Sequence, residues 1–274
     1  MSSFAPLPLS DGTTIERLGL GVYKVPTGDA ARIVTDAIRL GYRHVDTAAL
    51  YGNEKEVGEA LARATEFTDE HVTVASKVWN DDHGFDATLR AFDRSQALLG
   101  RDVVDFYLIH WPVPSRDLYV ESWKALVQLQ GEGRIRSIGV SNFHPAHIER
   151  LVAETGVAPV LDQVELHPRL TQQGVRAYDT EHGIVTQSWS PLARGRLLDD
   201  ATLLEIAAER GRSVAQIVIR WHLQQGLSVI PKASSPERLA ENLDVFDVEL
   251  DEADLARIAA LDSGERTGRD PDLD

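Results

Sequence analysis

The chain contains no cysteine, which excludes disulfides, thiolate metal sites and cysteine nucleophiles. Lysine is almost as scarce: Lys24, Lys55, Lys77, Lys124 and Lys232 are the only five, and every other cation is an arginine. In so arginine-rich a chain, a lysine closing an apolar strand calls for a chemical reason. Positive charge as a whole is short, with 28 Lys+Arg against 43 Asp+Glu and a net charge of −15. Nucleic acids and anionic membranes require a basic face, so neither is an expected partner. Any anionic ligand must be held by a local cluster of cations. No apolar stretch reaches spanning length, and the opening MSSFAPLPLSDG has neither a charged leader region nor a long apolar run. A cytoplasmic protein is expected, and nothing demands more than a monomer.

Several familiar motifs are also missing. There is no P-loop, and Gly19-Leu20-Gly21 lacks the third glycine of a dinucleotide fingerprint because Lys24 stands in its place. Gly139-Val-Ser-Asn-Phe143 resembles a nucleophile elbow, but Phe143 replaces the glycine that the tight turn requires. His144 and His147 have no metal-binding spacing around them and read as solvated surface histidines; Asp81-Asp82-His83 reads as a polar loop. No metal site is expected.

What recurs is a short apolar run followed by an amphipathic stretch. The apolar runs are Leu18–Val22, Arg43–Asp46, Val72–Val78, Val104–His110, Ile135–Val140, Val160–Val164, Ile184–Trp189 and Leu227–Pro231. Most are continuous rather than alternating, the pattern of parallel strands buried on both faces. Helical patterns follow at Asp29–Leu40, Asn53–Ala64, Asp86–Leu99, Leu118–Gln130, Pro145–Thr155, Thr171–His182, Ala215–Gln225 and Glu237–Leu243, with a last one at Asp251–Leu261. Asn53, with Glu56 three residues on, suggests a capping box. Strand ends near 46, 77, 110 and 141 lie 31, 33 and 31 residues apart, one βα unit each. A doubly wound open sheet shares the alternation, but the spacing favours a (β/α)8 TIM barrel forming one domain over residues 1–274. Residues 1–17, with Asp11-Gly12 as a turn, read as a short N-terminal β-hairpin capping one end. Residues 264–274 read as a polar tail.

Three strands end on residues whose chemistry packing does not need: Asp46, Lys77 and His110. In a barrel all three point into the C-terminal mouth, where barrel active sites lie, and Tyr51 follows Asp46 by five residues in the same loop. A phenol with a reference pKa of about 10 is a weak acid near neutrality. An ammonium beside it lowers that value, and a carboxylate keeps the ammonium charged. Asp46 is therefore expected to hold Lys77, Lys77 to tune Tyr51, and Tyr51 to protonate a carbonyl oxygen as hydride reaches its carbon. Neutral His110 is placed to hydrogen-bond the same oxygen.

Gly41-Tyr-Arg-His-Val-Asp46-Thr-Ala-Ala-Leu-Tyr51-Gly-Asn-Glu-Lys-Glu-Val-Gly58 resembles the first signature of the aldo-keto reductases over its whole length. The resemblance continues through Ser76-Lys77, His110-Trp-Pro112, Gly139–Phe143, Gln163-Val-Glu-Leu-His-Pro168, Ser188-Trp-Ser-Pro-Leu192 and Ile230-Pro-Lys232. The nearest branch is the bacterial 2,5-diketo-D-gluconic acid reductases, which share the short length and Trp189. The resemblance implies Asp46, Tyr51, Lys77 and His110 as the catalytic four. It implies NADPH/NADP+ as cofactor: Ser141, Asn142 and Gln163 at the carboxamide, Trp189 stacked on the nicotinamide, and Leu192 and Gly195 along the pyrophosphate. Lys232 and Arg238 are implied at the 2′-phosphate, with Ser234 nearby and Glu241 and Asn242 at the adenine. One departure stands out. Ala233 follows the lysine where the family usually has Ser or Thr, which leaves room for NADH as a weaker alternative.

Tyr23, Trp79, His110 and Trp111 are the expected substrate contacts, an apolar wall with one polar group. A short Pro112–Leu118 loop and a brief tail suggest an open mouth suited to small, polar carbonyls such as diketo acids or dicarbonyls. Two other readings use the same residues: a cofactor-binding regulatory subunit on the same fold, and an aldolase with Lys77 as a Schiff-base nucleophile.

Overall fold

The computed structural model describes residues 5–273. Positions 1–4 of the expected cap and 274 of the expected tail lie outside the described residues. The chain opens with an antiparallel hairpin, β1 (Leu7–Pro8) and β2 (Thr14–Ile15), in the register Leu7↔Ile15. Asp11 builds its turn by accepting from the Thr13 N–H at 3.0 Å and the Thr13 hydroxyl at 2.6 Å.

Eight parallel strands follow, each hydrogen-bonded to the next in chain order: β3 (Leu20–Gly21), β4 (His44–Asp46), β5 (Thr73–Val78), β6 (Val104–Ile109), β7 (Ile135–Ser141), β8 (Leu161–Glu165), β9 (Val185–Trp189) and β10 (Ser228–Val229). All eight expected strands are present: four are a residue shorter than expected, β3 and β10 lose three residues each, β7 runs one residue longer and β8 is shifted by one. The two sheet edges also approach one another. Leu18 bridges Val229 in parallel, Gly19 N–H donates to Val229 O at 2.9 Å, and Val229 N–H donates to Arg17 O at 2.8 Å. The sheet therefore curls until its first and last strands touch. Gly139 permits close packing inside the curl: a Cβ there would lie 2.6 Å from Leu108 Cδ2 and 2.7 Å from Leu161 O.

The helices are α1 (Thr27–Leu40), α2 (Glu54–Ala62), α3 (Phe85–Leu99), α4 (Tyr119–Gly131), α5 (Pro145–Thr155), α6 (Gln173–Glu181), α7 (Ala201–Arg210), α8 (Val214–Gln224), α9 (Pro236–Leu243) and α10 (Glu252–Ala259). Their apolar faces pack on the outer face of the sheet, where Ile33, Val57, Phe92, Trp123 and Leu151 join strand residues such as Val45, Tyr107 and Ile138 in one buried cluster. Among the described residues no helix is long and apolar enough to cross a membrane.

The hairpin plugs the end of the curl from which the strands start. Leu7, Leu9 and Ile15 pack on Ala75, Phe106 and Leu161, and Ser137 on β7 donates to Asp11 at 2.7 Å. The opposite end, where strands finish, is left free for a site.

Two expectations need correction. The expected capping box at Asn53 does not form. Asn53 is fully buried; its Oδ1 accepts from the Thr47 hydroxyl at 2.7 Å and its amide donates to Val22 O at 3.2 Å. That buried amide ties together the loops after β3 and β4, a stronger use than capping an exposed turn. Helix α7 has no counterpart in the sequence reading, although Asp200 caps it by accepting from the Thr202 and Leu203 N–H groups.

Candidate active site

A cavity of about 890 Å3 opens at the C-terminal ends of the strands. Asp46, Tyr51 and His110 line it, and Lys77 lies beneath, fully buried. Register explains the first pairing. Asp46 on β4 faces Ala75 on β5, so Lys77, two residues on, is its diagonal neighbour on the same face. Lys77 Nζ donates to both Asp46 oxygens at 2.7 and 2.8 Å and to Thr47 O at 2.8 Å. Burial pulls the lysine pKa down and Asp46 opposes it. An ammonium with all three protons donated has no lone pair to offer a carbonyl carbon, which argues against the Schiff-base reading.

Tyr51 sits on a short helical turn, Ala49–Tyr51, and its ring centroid lies 5.4 Å from Lys77 Nζ and 5.7 Å from the His110 ring. Among the described residues no hydrogen bond joins Lys77 to the Tyr51 hydroxyl, and the expected lowering of the phenol pKa is reversed. Burial, then Asp46 and Tyr23, push Tyr51 well above the usual tyrosine value. Phenolate is poorly solvated in this pocket, and the carboxylate lies close enough to offset the ammonium. The phenol therefore keeps its proton at neutral pH.

His110 is neutral, as expected: burial, then Lys77 and His83, hold its pKa well below the ordinary histidine value. Its Nδ1 is buried without a hydrogen-bond partner. A buried orphan N–H costs more than an orphan lone pair, so the proton belongs on Nε2, toward the cavity.

The amide cluster lies alongside. Gln163 donates to Asp46 at 2.7 Å and to Gln187 at 2.7 Å. Ser141 donates to Gln163 O at 2.7 Å. Asn142, left-handed at φ 62°, donates to His110 O and to Ser141 Oγ at 3.0 Å. Its carbonyl accepts the Trp189 indole N–H at 2.9 Å, which fixes that ring. With both Gln163 amide protons donated, its Oε1 is the acceptor left for a carboxamide NH2. The indole face, half-buried beside it, suits a flat ring.

The loop after β9 carries Leu192, Gly195 and also Arg194 along the cavity wall. Ser190, Ala193 and Arg194 are all left-handed there, unfavourable for non-glycine residues and characteristic of ligand loops. Lys232 and Arg238 line the far end. Lys232 donates to Ser234 at 3.3 Å, while Ser235 caps α9 by accepting from the Arg238 N–H. Ala233 is buried in the core, so the hydroxyl nearest the lysine is that of Ser234. Ser234, Glu241 and Asn242 do not line the cavity, and Asn242 is buried.

Tyr23, Trp79, His110 and Trp111 all line the cavity. Sequence reasoning missed most of the rest of the lining. The tail is no bystander: Gly268, Arg269, Pro271 and Leu273 line the cavity, and a Cβ at Gly268 would sit 2.6 Å from the Trp189 ring. Buried Glu165 holds the tail in place by accepting from the Thr267 N–H at 2.7 Å, the Thr267 hydroxyl, and the Gly268 N–H at 2.9 Å. Burial alone would raise the Glu165 pKa, but His167, Thr267 and Gly268 hold it down at about 2. The loop after β6 adds Val113, Ser115 and Arg116. The mouth is thus more enclosed than a brief polar tail suggested. Among the described residues the lining carries six cations, Lys24, Arg116, Arg194, Lys232, Arg238 and Arg269, against one carboxylate, Asp46, the local cationic cluster that an anionic ligand needs in so acidic a chain.

Residues 17–263 match the Aldo/keto reductase family. An aldo-keto reductase of Mycolicibacterium smegmatis is 49% identical over 97% of this chain and 96% of its own length. The methylglyoxal reductase DkgA of Escherichia coli is 46% identical over 99% of this chain and 98% of its own. The crystal structure of an aspartate-to-alanine variant of Gox0644 in complex with NADPH superposes with a TM-score of 0.95 at 47% identity, covering 100% of this chain and 99% of that one.

Proposed function

The chain belongs to the aldo/keto reductase family, and from its site we propose that it reduces small, polar aldehydes and ketones with NADPH, Tyr51 giving the proton. The curled sheet is read as a closed (β/α)8 barrel in one domain, with the cavity as its mouth, and the protein as a cytoplasmic monomer. The observation that carries the reading is the buried Asp46–Lys77 pair, with Nζ–O distances of 2.7 and 2.8 Å, beneath a protonated Tyr51 and a neutral His110. The complex of Gox0644 with NADPH and the name of the Escherichia coli relative point the same way.

NADPH, when bound, supplies the hydride. Trp189 offers its face to the nicotinamide, with Asn142 holding the indole; Gln163 Oε1 accepts from the carboxamide. Lys232 and Arg238 pair with the 2′-phosphate, and Leu192, Arg194 and Gly195 follow the pyrophosphate. His110 Nε2–H directs the carbonyl oxygen toward the Tyr51 hydroxyl. As negative charge grows on that oxygen, Tyr51 releases its proton to it. The phenolate left behind is stabilised by the Lys77 ammonium, which Asp46 keeps charged. Tyr23, Trp79 and Trp111 shield the reacting carbon from water.

A turnover assay tests the reading: NADPH with methylglyoxal, simple aldehydes and diketo acids, followed at 340 nm. Steady oxidation of NADPH with at least one of them is expected. Tight NADPH binding with no turnover on any would defeat the reductase reading and favour the regulatory one.

A further inference from the structure

The sequence reads His144 and His147 as solvated surface residues; in the fold His147 is buried, while His144 stays partly exposed. His147 is 9% exposed, and its Nδ1 accepts the His144 N–H at 3.1 Å at the start of α5. That bond turns His147 Nε2 outward, to within 3.3 Å of Asp272 Oδ1. His144 Nδ1 lies 3.0 Å from the other oxygen, Asp272 Oδ2. Asp270 completes the group: ligand atoms of His144, Asp270 and Asp272 all fall within 4.8 Å of one another. The two aspartates come from a segment more than 120 residues away in sequence, brought over the cavity by the tail.

We propose that His144, Asp270 and Asp272 form a site for a borderline divalent transition ion of the Zn2+ class, one that fastens the tail to the loop before α5. An imidazole nitrogen with two carboxylates is a donor set for Zn2+, Co2+ or Ni2+; Mg2+ and Ca2+ prefer oxygen alone. With metal–ligand bonds of about 2.0–2.2 Å, tetrahedral donors stand roughly 3.3–3.6 Å apart; His144 Nδ1 and Asp272 Oδ2, 3.0 Å apart, stand near that spacing, and an Asp270 oxygen lies within 4.8 Å of the other ligand atoms.

The chemistry of His144 fits ligation. Arg266 approaches its Nε2 at 3.4 Å, and a guanidinium only donates, so Nε2 accepts and the ring proton sits on Nδ1, facing Asp272. The incoming ion displaces that one proton to solvent, leaving a neutral imidazole bound through Nδ1. His147 hydrogen-bonds the far oxygen of Asp272 and orients the carboxylate from outside the coordination sphere. Because Pro271 and Leu273 line the cavity, an ion at Asp270 and Asp272 fixes part of its wall.

The test uses tag-free protein stripped with chelator and titrated with Zn2+ by calorimetry and with Co2+ by visible absorption. One equivalent is expected to bind. His144→Ala and Asp272→Asn should each weaken binding tenfold or more, His182→Ala should not, and Mg2+ should not compete. Zn2+ should also slow tryptic cleavage after Arg266 severalfold in the parent protein and not in Asp272→Asn. Asp272→Asn leaves the start of α5 intact, so its result is free of any folding defect in His144→Ala. Absence of saturable Zn2+ binding, or equal binding by both variants, would overturn the site; binding with unchanged cleavage would overturn its hold on the tail. None of these readouts involves turnover, so the reductase reading stands or falls separately.

Discussion

Lys232 and Asp162 show how far a single side chain can be read. Lys232 lines the cavity with Arg238 and makes one side-chain bond, to Ser234. If the pair holds a 2′-phosphate, Lys232→Ala should lower kcat/KM with NADPH by about tenfold or more, the worth of a charge-assisted hydrogen bond, and barely touch NADH. Steady-state kinetics with both cofactors decide this; equal losses would remove Lys232 from the phosphate. Asp162, on β8, is fully buried with neither oxygen in a side-chain hydrogen bond. Burial, then Asp179, push its pKa well up, and Asp179 is itself raised to about 7 by burial. For carboxyls raised in the fold, stability is full below the unfolded value and is lost as pH rises through the folded one. Asp162→Asn should therefore gain about 1–3 kcal/mol at pH 8 and little at pH 5, measured by urea denaturation. A gain independent of pH would contradict the charge as its cause.

At the scale of elements, the strands were legible because residues buried on both faces, such as Phe106-Tyr-Leu-Ile109, leave continuous apolar runs that need no tertiary knowledge. Asp46, Lys77 and His110 were legible for a related reason: polar residues closing such runs stand out against them. The elements that escaped owe their form to distant partners. Asn53 looked like a cap because its buried partners, Thr47 and Val22, cannot be read from helix periodicity. The tail looked idle because its anchor, Glu165, lies about a hundred residues upstream. Arg194 was hidden by a left-handed backbone that no pattern announces. The tail provides the prediction at this scale. Glu165→Ala removes the acceptor for Thr267 and Gly268 and should free the segment against Trp189. Expected are faster proteolysis after Arg266 and a KM for carbonyl substrate raised severalfold, with the sheet intact by circular dichroism. Unchanged proteolysis would show that Glu165 is not what holds the tail.

For the whole molecule, histidines buried as neutral groups set the acid limit. His44, His83 and His222 are held by burial at about 4, and His110 well below its ordinary value. Each is neutral in the fold and titrates near 6.5 when unfolded. Their contribution is complete above about 6.5 and is lost as pH falls toward 4, so the urea midpoint should drop between pH 6.5 and 4.5. A flat midpoint over that range would contradict their burial as neutral groups. The same economy of charge shapes the site, where an acidic protein gathers six cations around one cavity and keeps one ammonium, Lys77, beneath a phenol. The claim that rests on this arrangement is proton donation by Tyr51. Tyr51→Phe, assayed with NADPH and methylglyoxal at pH 7, should lose roughly 10²–10⁴-fold in kcat while NADPH quenches tryptophan fluorescence with unchanged affinity. A Phe variant that turns over at the parent rate would show that the proton comes from elsewhere.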